Sequence, residues 1–316
     1  MTPFEFEAAH GAAWQELEQA LSRGERALDP ERFLRLYRSA CEHLALAKSR
    51  GYPTDLIDRL SILTASAHQI IYRQNDYGAR RIARALLEEF PAEVRAQRRY
   101  VALAAALLFV PALVLGFIIH HRPEIILSIV DSTTAQQFAQ MYSPDNPAIG
   151  RARSMGGNWM MFGYYILNNI SIAFQCYVTG VLFGLGSLFF LLYNGAFSGA
   201  IAGYITSAGY GGTFFPFIAT HSAFELTAIV LAGGAGLKVG HAVLLPGRLT
   251  RTASLAAAAR RTGIVIAGCG VMLLIAAALE AFWSSAAWVA PQAKYAFAAC
   301  CWTLVAFFFL RTPHAA

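Results

Sequence analysis

Residues 101–119 read VALAAALLFVPALVLGFII, nineteen positions without a charged side chain. At about 1.5 Å of rise per residue, a helix of this length nearly matches the roughly 30 Å hydrocarbon core of a bilayer. Arg98 and Arg99 stand before the run, and His120, His121 and Arg122 follow it. The excess of Arg on the N-terminal side places that side in the cytoplasm.

Working outward, the chain divides into two materials near residue 100. Residues 1–99 hold 15 of the 25 Lys and Arg and 14 of the 19 Asp and Glu, leaving 10 basic and 5 acidic groups for the other 217 residues. Soluble domains carry about 25% charged residues, so the second part reads as a membrane domain, residues 100–316, and the first as a cytoplasmic domain, residues 1–99. The net charge of +6 lies beside apolar spans while the N-terminal part is almost neutral, which marks topology and excludes a nucleic-acid partner. Cys41, Cys176, Cys269, Cys300 and Cys301 form no CxxC and no zinc-ligand spacing, so no disulfide framework and no metal is expected. The acidic opening MTPFEFEAAH has no apolar signal region, so the first span directs insertion.

Before residue 100, four segments carry apolar residues at helical spacing. They run from Phe4 to Ser22, from Asp29-Pro30 to Gly51, from Pro53 to Gln74, and from about Gly78 with Ile82, Leu86 and Leu87. These predict a small helical bundle. His10, His43 and His68 have no partner ligand three or four residues away and read as ordinary histidines. Arg80, Arg81, Arg84, Arg95, Arg98 and Arg99 lie just ahead of the first span, where basic residues contact anionic lipid headgroups.

After residue 119, an external segment at 120–164 contains an amphipathic piece with Ile125, Ile126, Ile129 and Val130. Further apolar runs lie near 165–193, 196–210, 214–237, 262–279 and 295–310, with Asn194-Gly195 read as a tight turn. The third run, 196–210, is short for a span and is open to a re-entrant reading, which requires an internal cavity. Lys238, Arg248, Arg251, Arg260 and Arg261 form the densest basic loop, and Arg311 follows the last run, so six crossings with both termini cytoplasmic satisfy every basic cluster. Trp283 and Trp288 supply an external aromatic belt.

The spans contain few polar groups: Asn168, Asn169, Gln175, Asn194, His221, Glu225 and Glu280. A central acid costs about 2.5–3.5 kcal/mol on insertion scales, so it faces the protein interior with a partner. His221 and Glu225, four apart, share a helix face and can bond, with Glu280 as a third member. Gly180 and Gly184, and then Gly195, Gly199 and Gly203 at steps of four, form faces for close helix packing or for a contact between copies. These faces exceed what six spans obviously require, which implies a homodimer. No HExxH, P-loop, GxSxG or SxxK is present, so no catalytic residue, no enzyme and no cofactor is expected.

The string MFGYYILNNISIAFQCYVTGVLFGLGSLFFLLYNGAFSGAIAGY at 161–204 resembles the stage II sporulation protein M family. So do HSAFELTAIVLAGGAGLKVG at 221–240, Leu-Pro-Gly at 245–247 and Ala-Leu-Glu at 278–280, and LYRSACEHLALAKSR and SAHQIIYRQ resemble its N-terminal helical region. One departure is Thr220-His221-Ser222 where the family has Pro-His-Gly. The resemblance implies an integral membrane partner of cell-wall hydrolases in spore formers. In its non-sporulating branch, which this chain is similar to, it implies a gene encoded near those of MoxR-type AAA+ ATPases and a MoxR-type ATPase as a partner.

The expectation is therefore an all-α protein of the bacterial inner membrane, a cytoplasmic helical bundle followed by about six spans. It is a non-enzymatic scaffold or partner subunit in envelope and peptidoglycan remodelling, embedded in the lipid bilayer. The competing reading is a transporter or channel lined by Gln175, His221, Glu225 and Glu280. A hydrated cavity around these groups favours transport, and closed packing favours a scaffold.

Overall fold

In a computed structural model, residues 1–23, 29–71, 75–145, 149–150 and 157–311 are described, and among them there are helices and turns but no strand. The chain forms two compact units, Met1–Ile82 and Ala83–Ala316. The boundary falls ahead of the compositional change at residue 100.

The first unit packs three helices, α1 (Pro3–Arg23), α2 (Pro30–Ser49) and α3 (Thr54–Ile71). Pro30 opens α2, where its missing N–H costs nothing. The expected end of the third helix at Gln74 lies outside the described residues. Phe6, Trp14, Leu17, Leu36, Ala40, Ala47, Leu56, Leu60 and Leu63 are buried together. Arg59 and Glu18 pair across α3 and α1 at 2.9 Å, and Arg32 and Glu16 pair across α2 and α1 at 2.8 Å. Among the described side chains of the fourth segment, α4 (Asn75–Arg84), none joins that core, and Ile82 is exposed.

The second unit begins where the chain is still charged. A π-helical turn at Ala85–Glu89 leads into α5 (Phe90–Ala96), whose Phe90 and Val94 are buried in the largest apolar core of this unit. The charged stretch 83–99 therefore belongs to the second unit. Then come α6 (Arg98–His121), a 3-10 turn at Pro123–Ser128, α7 (Ser132–Gln140), α8 (Gly157–Val178), α9 (Leu185–Ser207), α10 (Gly211–Leu244), α11 (Arg251–Ala278) and α12 (Pro291–Leu310). Asp131 caps α7 by accepting the Thr134 N–H at 2.9 Å, and Ile126 and Ala135 pack the segment after α6 onto Ile201 and Ile205 of α9.

Among the described residues, five helices are long and apolar enough to cross a membrane by length and composition: Arg98–His121, Leu185–Ser207, Gly211–Leu244, Arg251–Ser284 and Pro291–Leu310. α8 is long enough, at 22 residues, but is diluted by Asn168, Asn169 and Gln175. Neighbouring positions fix the directions. Gly195, Gly199 and Gly203 of α9 meet Leu108, Ala112 and Gly116 of α6, so these two run parallel. Gly184 lies beside Gly240 and Gly233 beside Leu191, so α9 and α10 are antiparallel. Large apolar side chains such as Leu113, Phe117, Leu167, Phe189 and Phe307 remain exposed on the outside of the bundle.

Two of the expected runs are drawn differently. The run near 165–193 is two helices, broken at 179–184, where Phe183 (φ 57°) and Gly184 (φ 84°) reverse the chain. The run near 196–210 is not a separate helix but continues α9, which passes through Asn194 and Gly195 without a turn. Asn194 Nδ2 donates to the Phe190 carbonyl of its own helix at 2.7 Å, so the polar side chain is satisfied there. A β-carbon at Gly195, Gly199 or Gly203 would overlap a backbone carbonyl of α6. The glycine stripe is thus used inside one chain and is not available as a contact between copies. The remaining helices extend beyond the expected runs: α10 to Leu244, α11 back to Arg251, and α12 back to Pro291.

Candidate functional site

Ten residues into α10, the sequence Thr220-His221-Ser222 brings an imidazole inward, and Glu225 follows one turn later. His221 Nε2 lies 3.7 Å from Glu225 Oε2. Opposite them, α11 does not end in an ordinary turn but widens into a π-helix at Leu279–Ser284. Such turns recur at functional sites because they re-aim side chains. Here the widened turn carries both Glu280 and Ser284. One nitrogen or oxygen from each of His221, Glu225 and Glu280 lies within 4.8 Å of the others.

The other face of the imidazole is fixed. His221 Nδ1 sits 3.0 Å from Ser284 Oγ, and Phe217 meets the ring edge-on with centroids 5.4 Å apart. Ser284 Oγ also reaches the Leu279 carbonyl at 3.1 Å and the Thr220 hydroxyl, which in turn bonds the Phe217 carbonyl at 3.1 Å. With Ser284 donating to the Leu279 carbonyl, its oxygen accepts from the Thr220 hydroxyl and from the Nδ1–H of His221. This tautomer, assigned from the bonding network, leaves the Nε2 lone pair facing the carboxylates.

Lys294 completes the neighbourhood. It is buried, and its amino group donates to the Ser284 carbonyl at 2.7 Å. Among the described residues no ion pair joins Lys294 to Glu225 or Glu280. Thr220, Ser284 and Lys294 escaped the sequence reading. Lys294 lies one residue before the last expected run, as a lone lysine within α12.

The other expected polar residues do not join this group. Asn168 Nδ2 bonds Asn169 Oδ1 at 2.9 Å, and Asn169 is buried with its own Nδ2 unpaired. Gln175 is exposed beside Cys176, which packs at Gly236. That is fifteen residues beyond His221 along α10, about 22 Å at ~1.5 Å per residue. Gly180 and Gly184 pack against Gly236 and Gly240 of α10, a helix-packing role.

At the other end of the bundle, Lys238 bonds Glu93 at 2.9 Å and Arg95 bonds the Phe309 carbonyl at 3.2 Å. The start of α6, the end of α10 and the end of α12 therefore share one end, and the His221 cluster lies toward the other.

Helices with lipid-ready outer faces and inward-turned ionisable groups, five of them among the described residues long and apolar enough to cross a bilayer, are the build of a polytopic membrane protein. The family model described as Stage II sporulation protein M (SpoIIM) matches residues 105–285, more than half of the chain. The chain belongs to the SpoIIM family, and the matched stretch includes His221, Glu225, Glu280 and Ser284. Residues 4–73 match a domain family of unknown function, DUF8413. No curated protein and no solved structure matches the chain.

Proposed function

We propose that this SpoIIM-family membrane protein is a non-enzymatic subunit of the bacterial cytoplasmic membrane that holds or recruits partners in cell-envelope and peptidoglycan remodelling. The observation that carries the reading is the family match together with the inward-turned cluster. His221 is buried, fixed by Ser284 and within reach of two carboxylates, so the ionisable groups tie α10 to the turn after α11. That arrangement supports a rigid platform. The residues named for a transport path are not gathered, since Gln175 lies far from the other three.

In this reading α8 also crosses, giving six passes. The end that gathers Arg98, Arg99, Lys238, Arg248, Arg251 and Arg311 is the basic one, which supports a cytoplasmic location for it and for both termini. The partner is a cell-wall enzyme or a MoxR-type AAA+ ATPase. Affinity purification of the full chain from its native membrane in mild detergent, followed by mass spectrometry, tests this. Recurrent recovery of either partner supports it, and recovery of the chain alone counts against it.

A further inference from the structure

We propose that His221, Glu225 and Glu280 bind a divalent transition-metal ion that ties α10 to the π-helical turn after α11. Three ligand atoms of the right kind converge from two elements that are 55 residues apart, counting from Glu225 to Glu280. One imidazole nitrogen and two carboxylate oxygens suit zinc or manganese, and three protein ligands leave room for water as a further one.

The charge of a divalent cation suits two carboxylates held together in one partly buried place. The imidazole is already oriented for the task. Metal-bound histidines usually donate their other ring N–H to a neighbouring oxygen, and His221 Nδ1 has Ser284 Oγ at 3.0 Å. Ser284 is itself held by Thr220 and by the Leu279 carbonyl, so the ring cannot turn away without breaking that chain of bonds. Lys294 stabilises the turn from behind through the Ser284 carbonyl and takes no place among the ligands.

The ligand spread needs only a small contraction. Bonds of about 2.1 Å to a tetrahedral ion place ligand atoms roughly 3.4 Å apart. His221 Nε2 and Glu225 Oε2 are at 3.7 Å, and the full set is within 4.8 Å. The ion is assigned a holding role that does not depend on which partner the protein recruits.

The test uses the full chain in mild detergent, stripped with chelator and then offered zinc or manganese salts. Elemental analysis by mass spectrometry, with the melting temperature, reads binding. The expected result is one tightly held ion per chain and a melting temperature several degrees higher, with both effects abolished in His221→Gln and in Glu280→Gln. Retention of the ion in both variants, or no retained ion and no thermal shift in the unmodified chain, overturns the proposal. Should the variants fail to fold, cobalt(II) added to the unmodified chain decides. An intense visible absorption that zinc displaces supports the site, and a spectrum of hydrated cobalt overturns it.

Discussion

His221 and Ser284 are 63 residues apart in the chain and 3.0 Å apart in space, imidazole Nδ1 to hydroxyl oxygen. This contact joins a regular helix to a π-helical turn and fixes which imidazole nitrogen faces the two glutamates. Much of the behaviour of the second unit follows from it.

Replacing His221 by Leu removes the N–H that Ser284 accepts and leaves the partly buried Glu225 without its neighbour. Stranding such groups costs about 1–3 kcal/mol. Glu225→Gln keeps a hydrogen-bonding side chain of the same shape. In chelator-treated detergent, His221→Leu is expected to melt several degrees below the unmodified protein and Glu225→Gln close to it. Equal losses, read by thermal unfolding of the full chain, would contradict the clamp.

The α6–α9 contact makes a sharper steric prediction. Gly199→Ala places a methyl group into the backbone of Ala112. Alanine in a helix normally gains up to about 1 kcal/mol over glycine, but overpacking against rigid backbone costs typically 1–3 kcal/mol and occasionally more. Gly199→Ala should therefore destabilise, while Gly163→Ala and Gly270→Ala, which meet open space, should be neutral or mildly stabilising. Folded yield and melting temperature in detergent separate the two classes.

Glu93 and Lys238 bond at 2.9 Å, each about one-fifth exposed. Removing only the carboxylate, as in Glu93→Ala, leaves a partly buried ammonium without its partner, and the loss should be about 1–3 kcal/mol. Adding Lys238→Met should restore most of it. A double-mutant cycle with no coupling would show the pair to be incidental.

In the first unit, Trp14 Nε1 donates to His43 Nδ1 at 3.0 Å, and the ring of His10 lies 4.0 Å from that of His43, centroid to centroid. Burial, and then the neighbouring His10, hold the His43 pKa below its ordinary value. The unfolded chain therefore binds the proton more readily, at a pKa of about 6.5, and stability falls as pH drops below that value toward the lowered folded pKa. Hydrogen exchange of α1 and α2 in the full chain, corrected for intrinsic rates, should show faster opening at pH 5 than at pH 7. His43→Gln should flatten this dependence, and an unchanged profile would contradict the assignment.

The class of fold was legible because membrane crossing is a matter of length and charge, and 101–119 meets both conditions without help from tertiary contacts. The hairpin at 179–184 was hidden because only Gly180 and Gly184 mark it, and their spacing of four reads as a helix-packing face. The break is made by left-handed backbone at Phe183 and Gly184 inside an apolar stretch. Asn194-Gly195 misled for the opposite reason: a pair that makes turns in water is accommodated in α9 by a bond to Phe190 and by close packing on Leu108. In the candidate site, His221 and Glu225 were visible from their spacing and Glu280 from its rarity. Ser284 was not, since a serine shows no special signal until the π-helical turn aims it.

The central claim is that the chain acts through partners on the cell wall and does not cut it itself. Its most direct test is muropeptide release from labelled cell-wall sacculi by membranes that contain or lack the chain, with the purified chain measured alongside. The account predicts reduced release from membranes lacking it and none from the purified chain. Equal release from both membranes, or cleavage by the purified chain, would contradict it.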